Sequence, residues 1–164
     1  RDKTHTVINK GIKIMILDDE LKKDVRKYVI QLANELEVCK PKIVYIPKDD
    51  QHARANITDN TLTLFNEFDS IYDLYFCIAH EMRHTYQMKY REFYKDAFES
   101  YKPRNEVSER DYNKQLLELD ANAFANMVIR DDFGVEMLLD CDEDVLFAIK
   151  HRAKFIENTE YGGL

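Results

Sequence analysis

Apolar and polar residues alternate over residues 42–46 and 61–66, β-favouring runs lie within residues 5–17, and apolar residues recur at three- and four-residue intervals through much of the rest. Residues 5–17 (HTVINKGIKIMIL) hold two β-favouring runs around Asn9-Lys10-Gly11, which predicts a hairpin. Leu21, Val25, Tyr28, Val29 and Leu32 fall at helical spacing. A helix is therefore expected over residues 20 to about 38, capped by Asp18 or Asp19 and stopped by Pro41. Residues 42–46 (KIVYI) alternate as a strand, and a strand pair is expected at about 52–57 and 61–66, turning through Ile57-Thr58-Asp59-Asn60. From Ser70 the period changes, and IYDLYFCIAHEMRHTYQ reads as a central helix that is apolar nearly all round. Leu74, Tyr75, Ile78 and Met82 lie within about 60° of Ile71, while Phe76 and Cys77 take the other side. Tyr86, Tyr90, Phe93, Tyr94 and Phe98 keep the spacing, so this helix is either long or kinked beyond Gln87. Residues 100–110, polar and containing Pro103, read as a loop. Asp111 is placed to cap a helix running to about residue 130. A last helix is expected over residues 143 to about 157, where the acids of residues 140–144 suit a helix N-terminus. Gly162-Gly163 reads as a frayed tail. The order predicts an α+β chain with a small antiparallel or mixed sheet.

Composition narrows this picture. The 164 residues are 45% hydrophobic and 34% charged, with only 4 Gly and 3 Pro, which fits one domain with a core and no linker. Within residues 1–164, residues 1–17 read as a hairpin extension, 18–130 as the core and 131–164 as a C-terminal helical segment. Lys plus Arg number 24 against 31 Asp plus Glu, a net charge of −7, which argues against a nucleic-acid or anionic-membrane binder. No apolar run approaches the roughly 20 residues a bilayer span needs, so no membrane insertion is expected. Three scattered cysteines make neither a disulfide framework nor a thiolate metal site. Cys39 and Cys77, among apolar neighbours, read as reduced core thiols of a cytoplasmic protein. The chain begins at Arg1, which leaves room for a preceding segment.

The candidate chemistry begins in the central helix with His80-Glu81-Met82-Arg83-His84, the pattern HExxH. Histidines at i and i+4 stand about 40° apart and one turn apart, so both imidazoles reach one ion at about 2.0–2.1 Å. Glu81 is rotated by about 100° from His80, beside that ion's open position. From there a carboxylate takes a proton from the attacking water and delivers it to a leaving nitrogen. A chain of this composition carries the motif by chance about 1% of the time, so a second cluster must decide. Catalytic zinc takes three protein ligands. Residues 118–125 (ELDANAFA) supply a candidate: Glu118 shares a helical face with Ala121, Asn122, Ala125 and Ile129, and the two alanines permit close helix approach. Asn122, one turn on, is placed to hydrogen-bond a histidine or the Glu118 carboxylate. Asp120 faces about 200° away and is the competing ligand.

HExxH followed by E-x-[DE]-A-N-x-F-A resembles the small Glu-ligand zinc metallopeptidases (gluzincins), and among them is most similar to the minimal domains of the ImmA/IrrE type. The resemblance rests on about 13 residues. It implies a small sheet on a zincin-type helix core, with a central HExxH helix and a downstream Glu helix. It also implies one zinc ion held by His80, His84 and Glu118, with Glu81 as general base. The substrate it implies is a protein, often a transcriptional repressor. Arg83 stands where many members carry Gly, which would narrow or charge the cleft, and the Leu-Leu-Met-Pro-like continuation is replaced by Asn126-Met127-Val128-Ile129-Arg130. The function expected is a zinc-dependent endopeptidase acting on a protein or peptide, with residues 61–66 as a cleft-edge strand that holds substrate. The alternative is a metal-binding sensor or docking module with little proteolysis. Tyr86, Tyr90, Tyr101 and Tyr112 are candidate oxyanion donors, though packing is the ordinary role of such residues. Lone His151 reads as a surface residue.

Overall fold

The computed structural model describes residues 5–9 and 12–161. The chain clusters into two compact units that divide between Thr85 and Tyr86, inside one continuous helix.

The first unit holds all the described strands. β1 (His5–Asn9) and β2 (Ile12–Ile16) form the expected antiparallel hairpin, and β2 also pairs with the two-residue β6 (Glu67–Phe68). The hairpin's turn residues 10 and 11 fall outside the described residues. β3 (Lys42–Ile46), β4 (Ala55–Thr58) and β5 (Thr61–Phe65) make a second sheet in the order β3-β5-β4. Here β5 runs parallel to β3 and antiparallel to β4. The strands thus form one antiparallel and one mixed three-stranded sheet, a division hidden in sequence because β6 is too short to leave a pattern. It also corrects the expectation for residues 61–66: β5 is the central strand, with both edges already paired, and β4 is an edge strand. The β4–β5 turn places Asp59 and Asn60 at φ +49° and +56°, the left-handed pair a two-residue hairpin requires.

α1 (Asp19–Glu35) begins at Asp18, whose carboxylate accepts from the Leu21 amide at 2.9 Å. It ends earlier than Pro41 would stop it. Glu37 adopts φ +53°, Val38 N–H donates to the Ala33 carbonyl and Glu37 N–H to the Asn34 carbonyl, a left-handed cap that satisfies the last turn. Leu21, Val25 and Leu32 of α1 are wholly buried, as are Leu62 and Leu64 of β5. α2 (Ile71–Lys89) stops two residues beyond Gln87 and does not run on through Tyr90 to Phe98, and it buries Leu74, Ile78 and Met82 completely and Phe76 and Cys77 nearly so. Cys39, by contrast, is exposed, so only Cys77 of the two is a core thiol. It lies beyond the cap of α1, where helical burial no longer applies.

The second unit is helical. After the end of α2 come α3 (Lys95–Ser100), a 3₁₀ turn (Arg104–Glu106), α4 (Glu109–Lys114), α5 (Leu116–Phe133), α6 (Glu143–Ile156) and a π-helical turn (Glu157–Tyr161). The single helix expected from Asp111 is therefore two. Ser108, not Asp111, caps the first, its hydroxyl accepting from the Asp111 amide at 3.1 Å. Gln115 leaves the helical conformation at ψ 139° and separates α4 from α5. Its side chain explains the break: the Gln115 amide donates to the Lys102 carbonyl at 2.9 Å and its oxygen accepts from Lys102 N–H at 2.6 Å, clamping the preceding loop. Gly134, at φ +67°, closes α5 with its N–H on the Arg130 carbonyl. Residues 162–164, with the expected frayed tail, lie outside the described residues. No described helix is long and apolar enough to cross a membrane.

Candidate metal centre

His80 and His84 lie two turns from the C-terminal end of α2, both half-buried. The helical repeat stacks them as their spacing requires: the two Nε2 atoms are 3.0 Å apart and the rings meet edge to face, with centroids 4.7 Å apart. Two imidazole nitrogens come this close when one donates a proton to the other or when both address one cation. Ligand atoms on a tetrahedral zinc are about 3.3 Å apart, close to the observed separation. Between them on the helix, Glu81 directs Oε2 at β4, where it accepts from the Ile57 amide at 3.1 Å. In a two-stranded antiparallel pair alternate residues point outward, and Ile57 is one of these, so its N–H is free of the β4–β5 ladder. That contact fixes one oxygen of Glu81.

Glu118, in the first turn of α5, is buried to 4% exposure. Its Oε1 accepts from the Tyr112 hydroxyl at 2.9 Å and from the Tyr101 hydroxyl at 3.2 Å, and the two phenols are 3.0 Å from each other. Burial, followed by hydrogen bonding and the Glu118 charge, raises the Tyr112 phenol's pKa; burial likewise raises that of Tyr101. Both phenols are thus protonated donors over the whole neutral range. Ligand atoms of His80, His84 and Glu118 all lie within 4.8 Å of one another, a possible metal site made of two imidazoles and a carboxylate. No family model, curated protein or solved structure matches the chain. Two neutral nitrogens and one carboxylate are the donor set zinc takes when a fourth position stays open.

Asp120 sits elsewhere in the second unit and is wholly buried. Its Oδ1 receives Nε and Nη2 of Arg152, both at 2.8 Å, and its Oδ2 receives Gln87 Nε2 at 3.0 Å and the Tyr94 hydroxyl at 3.2 Å. Four donors saturate this carboxylate, so it is a structural hub with no lone pair aimed at an ion. Arg83 is completely buried too, so its guanidinium is not a charge on a cleft wall, as Arg in place of Gly led one to expect. Asn122 is half-buried one turn beyond Glu118. Tyr86 packs against Tyr90 with centroids 4.6 Å apart. His151 is exposed and stacks on Phe147 at 6.4 Å.

Three participants escaped the sequence reading. Ile57 contributes a backbone group, which no side-chain pattern advertises. Gln87 and Arg152 meet Asp120 from 33 and 32 residues away. Neither Gln87 nor Arg152 stands out by pattern, since both lie on helices that carry other polar residues. Tyr101 and Tyr112 were visible as candidate donors, but for an oxyanion; in the structure they serve a carboxylate.

Proposed function

We propose that this protein is a zinc-dependent endopeptidase in which His80, His84 and Glu118 hold the metal and Glu81 is the general base. The observation that carries the reading is the convergence of two imidazole nitrogens and one buried carboxylate within 4.8 Å, with a second carboxylate on the intervening residue. A zinc ion bound by this set supplies a Lewis acid that polarises a scissile carbonyl and acidifies water. The remaining work belongs to the chain. The Ile57 amide holds Glu81 by Oε2, and the carboxylate so oriented accepts a proton from the attacking water and passes it to the departing amine. With its N–H held by Glu81, Ile57 offers its carbonyl along the β4 edge and Ala55 its outward N–H and carbonyl, and a peptide lying there as an added strand would run beside Glu81. Such backbone pairing selects for extended conformation more than for side chains, which suits a peptide or protein substrate.

Glu81→Gln is the test. It keeps an acceptor for the Ile57 amide but removes the base, so peptide-library cleavage should be lost while the zinc content stays that of the parent. Undiminished turnover by this variant overturns the mechanism. Saturable partner binding with no chelator-sensitive cleavage by the parent protein replaces the peptidase with a metal-dependent docking module.

A further inference from the structure

Glu118 is held by two phenols at one oxygen. Three oxygens (Tyr101 Oη, Tyr112 Oη and Glu118 Oε1) form a triangle with sides of 3.0, 2.9 and 3.2 Å. Only two protons are available for these three contacts, since an ionised carboxylate accepts and never donates. The shortest side is Tyr112 to Glu118, so that proton is committed. The Tyr101 proton then has two acceptors of almost equal distance, the carboxylate oxygen and the Tyr112 oxygen. In either position Oε1 remains hydrogen-bonded, which fixes the carboxylate on the phenol side.

The three residues come from different local structures. Tyr101 follows α3 in the extended conformation, at φ −64° and ψ 133°, Tyr112 is in α4, and Glu118 opens α5. The break at Gln115 is what brings them together. Were α4 and α5 one helix, Tyr112 and Glu118 would stand about 240° apart round its axis and could not meet. Gln115 also anchors Lys102, the neighbour of Tyr101, through hydrogen bonds of 2.6 and 2.9 Å. Arg104 covers the other face of the Tyr112 ring at 4.4 Å and is itself held by Glu109 at 2.6 and 2.7 Å. The side chains that set both phenols are therefore fixed by contacts made before any ligand arrives.

From this geometry we propose that Tyr112 and Tyr101 are a paired positioning device for Glu118, holding Oε1 so that the carboxylate is oriented for the metal before it arrives, with the second phenol able to take over when the first is lost. The proposal rests on reading Glu118 as a metal ligand. It assigns the tyrosines no contact with substrate: they act through the carboxylate. Two consequences follow from the proton count. Tyr112→Phe removes the committed donor, and Tyr101 replaces it by donating directly across 3.2 Å. Tyr101→Phe removes a donor that Oε1 does not strictly need. The double variant leaves Oε1 without either, so its effect exceeds the product of the single effects.

The experiment is zinc affinity by competition with a chromophoric chelator, for the parent, the two single Phe variants, the double variant, and each of these with Glu118→Ala added. Partners of this kind change metal affinity by about 10–100-fold. The double variant should weaken zinc binding by about that factor, and the single variants by only a few-fold each. None should weaken it in the Glu118→Ala background. Equal losses with and without Glu118 mean the tyrosines act on the fold, and overturn the proposal. So does unchanged affinity in the double variant. Stoichiometric zinc that His80→Ala abolishes but the tyrosine variants do not touch leaves the metal-centre reading standing and refutes the positioning role alone. Failure of the parent to bind zinc refutes both. Should Tyr112→Phe not fold by circular dichroism, Tyr101→Phe decides, because its ring is 37% exposed and its few-fold loss must still vanish without Glu118.

Discussion

Two acidic residues, Glu118 and Asp120, stand two positions apart on α5 and have opposite environments. Successive residues rotate by about 100° on a helix, so positions two apart face nearly opposite directions. Glu118 shares its oxygen with two neutral phenols, while Asp120 is enclosed by a guanidinium, an amide and a phenol. Removing Asp120 leaves Arg152, only 20% exposed at its side chain, without its carboxylate. Breaking a buried pair from one side costs about 3–5 kcal/mol. Asp120→Ala should therefore lower the urea midpoint markedly, whereas Glu118→Ala, which leaves two phenols able to turn to water, should lower it far less and act on metal affinity instead. Equal destabilisation by the two would contradict the assignment of hub and ligand.

Among the elements, the ends carry the clearest tests. Gly134 closes α5 at φ +67°, and a methyl group added there would meet nothing within 4 Å. Its replacement therefore tests backbone conformation by itself: Gly134→Ala should cost about 1 kcal/mol, the left-handed penalty, measured by chemical denaturation. α4 and α6 are joined by Arg110 and Lys114 on Asp144, the latter at 3.0 Å. Hydrogen bonds from these two cations depress the Asp144 carboxyl to about 2. Its folded pKa lies below the ordinary 3.8, so the link contributes stability above that value and loses it as pH falls through about 2. The groups are exposed, so the effect is small and salt-sensitive. Protection of the α4 amides, taken relative to their intrinsic exchange rates, should fall between pH 4 and 2 in the parent and lose that step in Asp144→Asn. What sequence showed of these elements was their period. The run from Leu74 to Met82, the alternation of residues 61–65 and the cap at Asp18 are local and were legible. The end of α1 was not, because Glu37 takes a left-handed conformation that its side chain does not signal. Nor was the break at Gln115, which depends on hydrogen bonds to Lys102 from a loop. HExxH was legible because one helical turn fixes its geometry without help, while Ile57 entered only once the strands had folded.

For the molecule as a whole, ligation and folding are linked. An ion that binds only the native chain stabilises it by RT ln(1 + [L]/Kd), about 2.7 kcal/mol at a hundredfold excess over Kd. Zinc should therefore raise the melting temperature of metal-free protein, excess chelator should reverse the rise, and His80→Ala should remove it; a parent melting curve indifferent to zinc would contradict native-state ligation by His80, His84 and Glu118. The charge of −7 works in the same direction at a distance, since an acidic chain gathers cations from solution.

Cys77 adds a built-in chronometer. Its thiol, three residues before His80, is buried, and desolvation pushes its pKa up to about 12. Alkylating reagents attack the thiolate, so Cys39, out in solvent, reacts at once while Cys77 waits for α2 to open. The ratio of these two modification rates, followed by mass spectrometry, clocks how often the histidine-bearing helix comes loose.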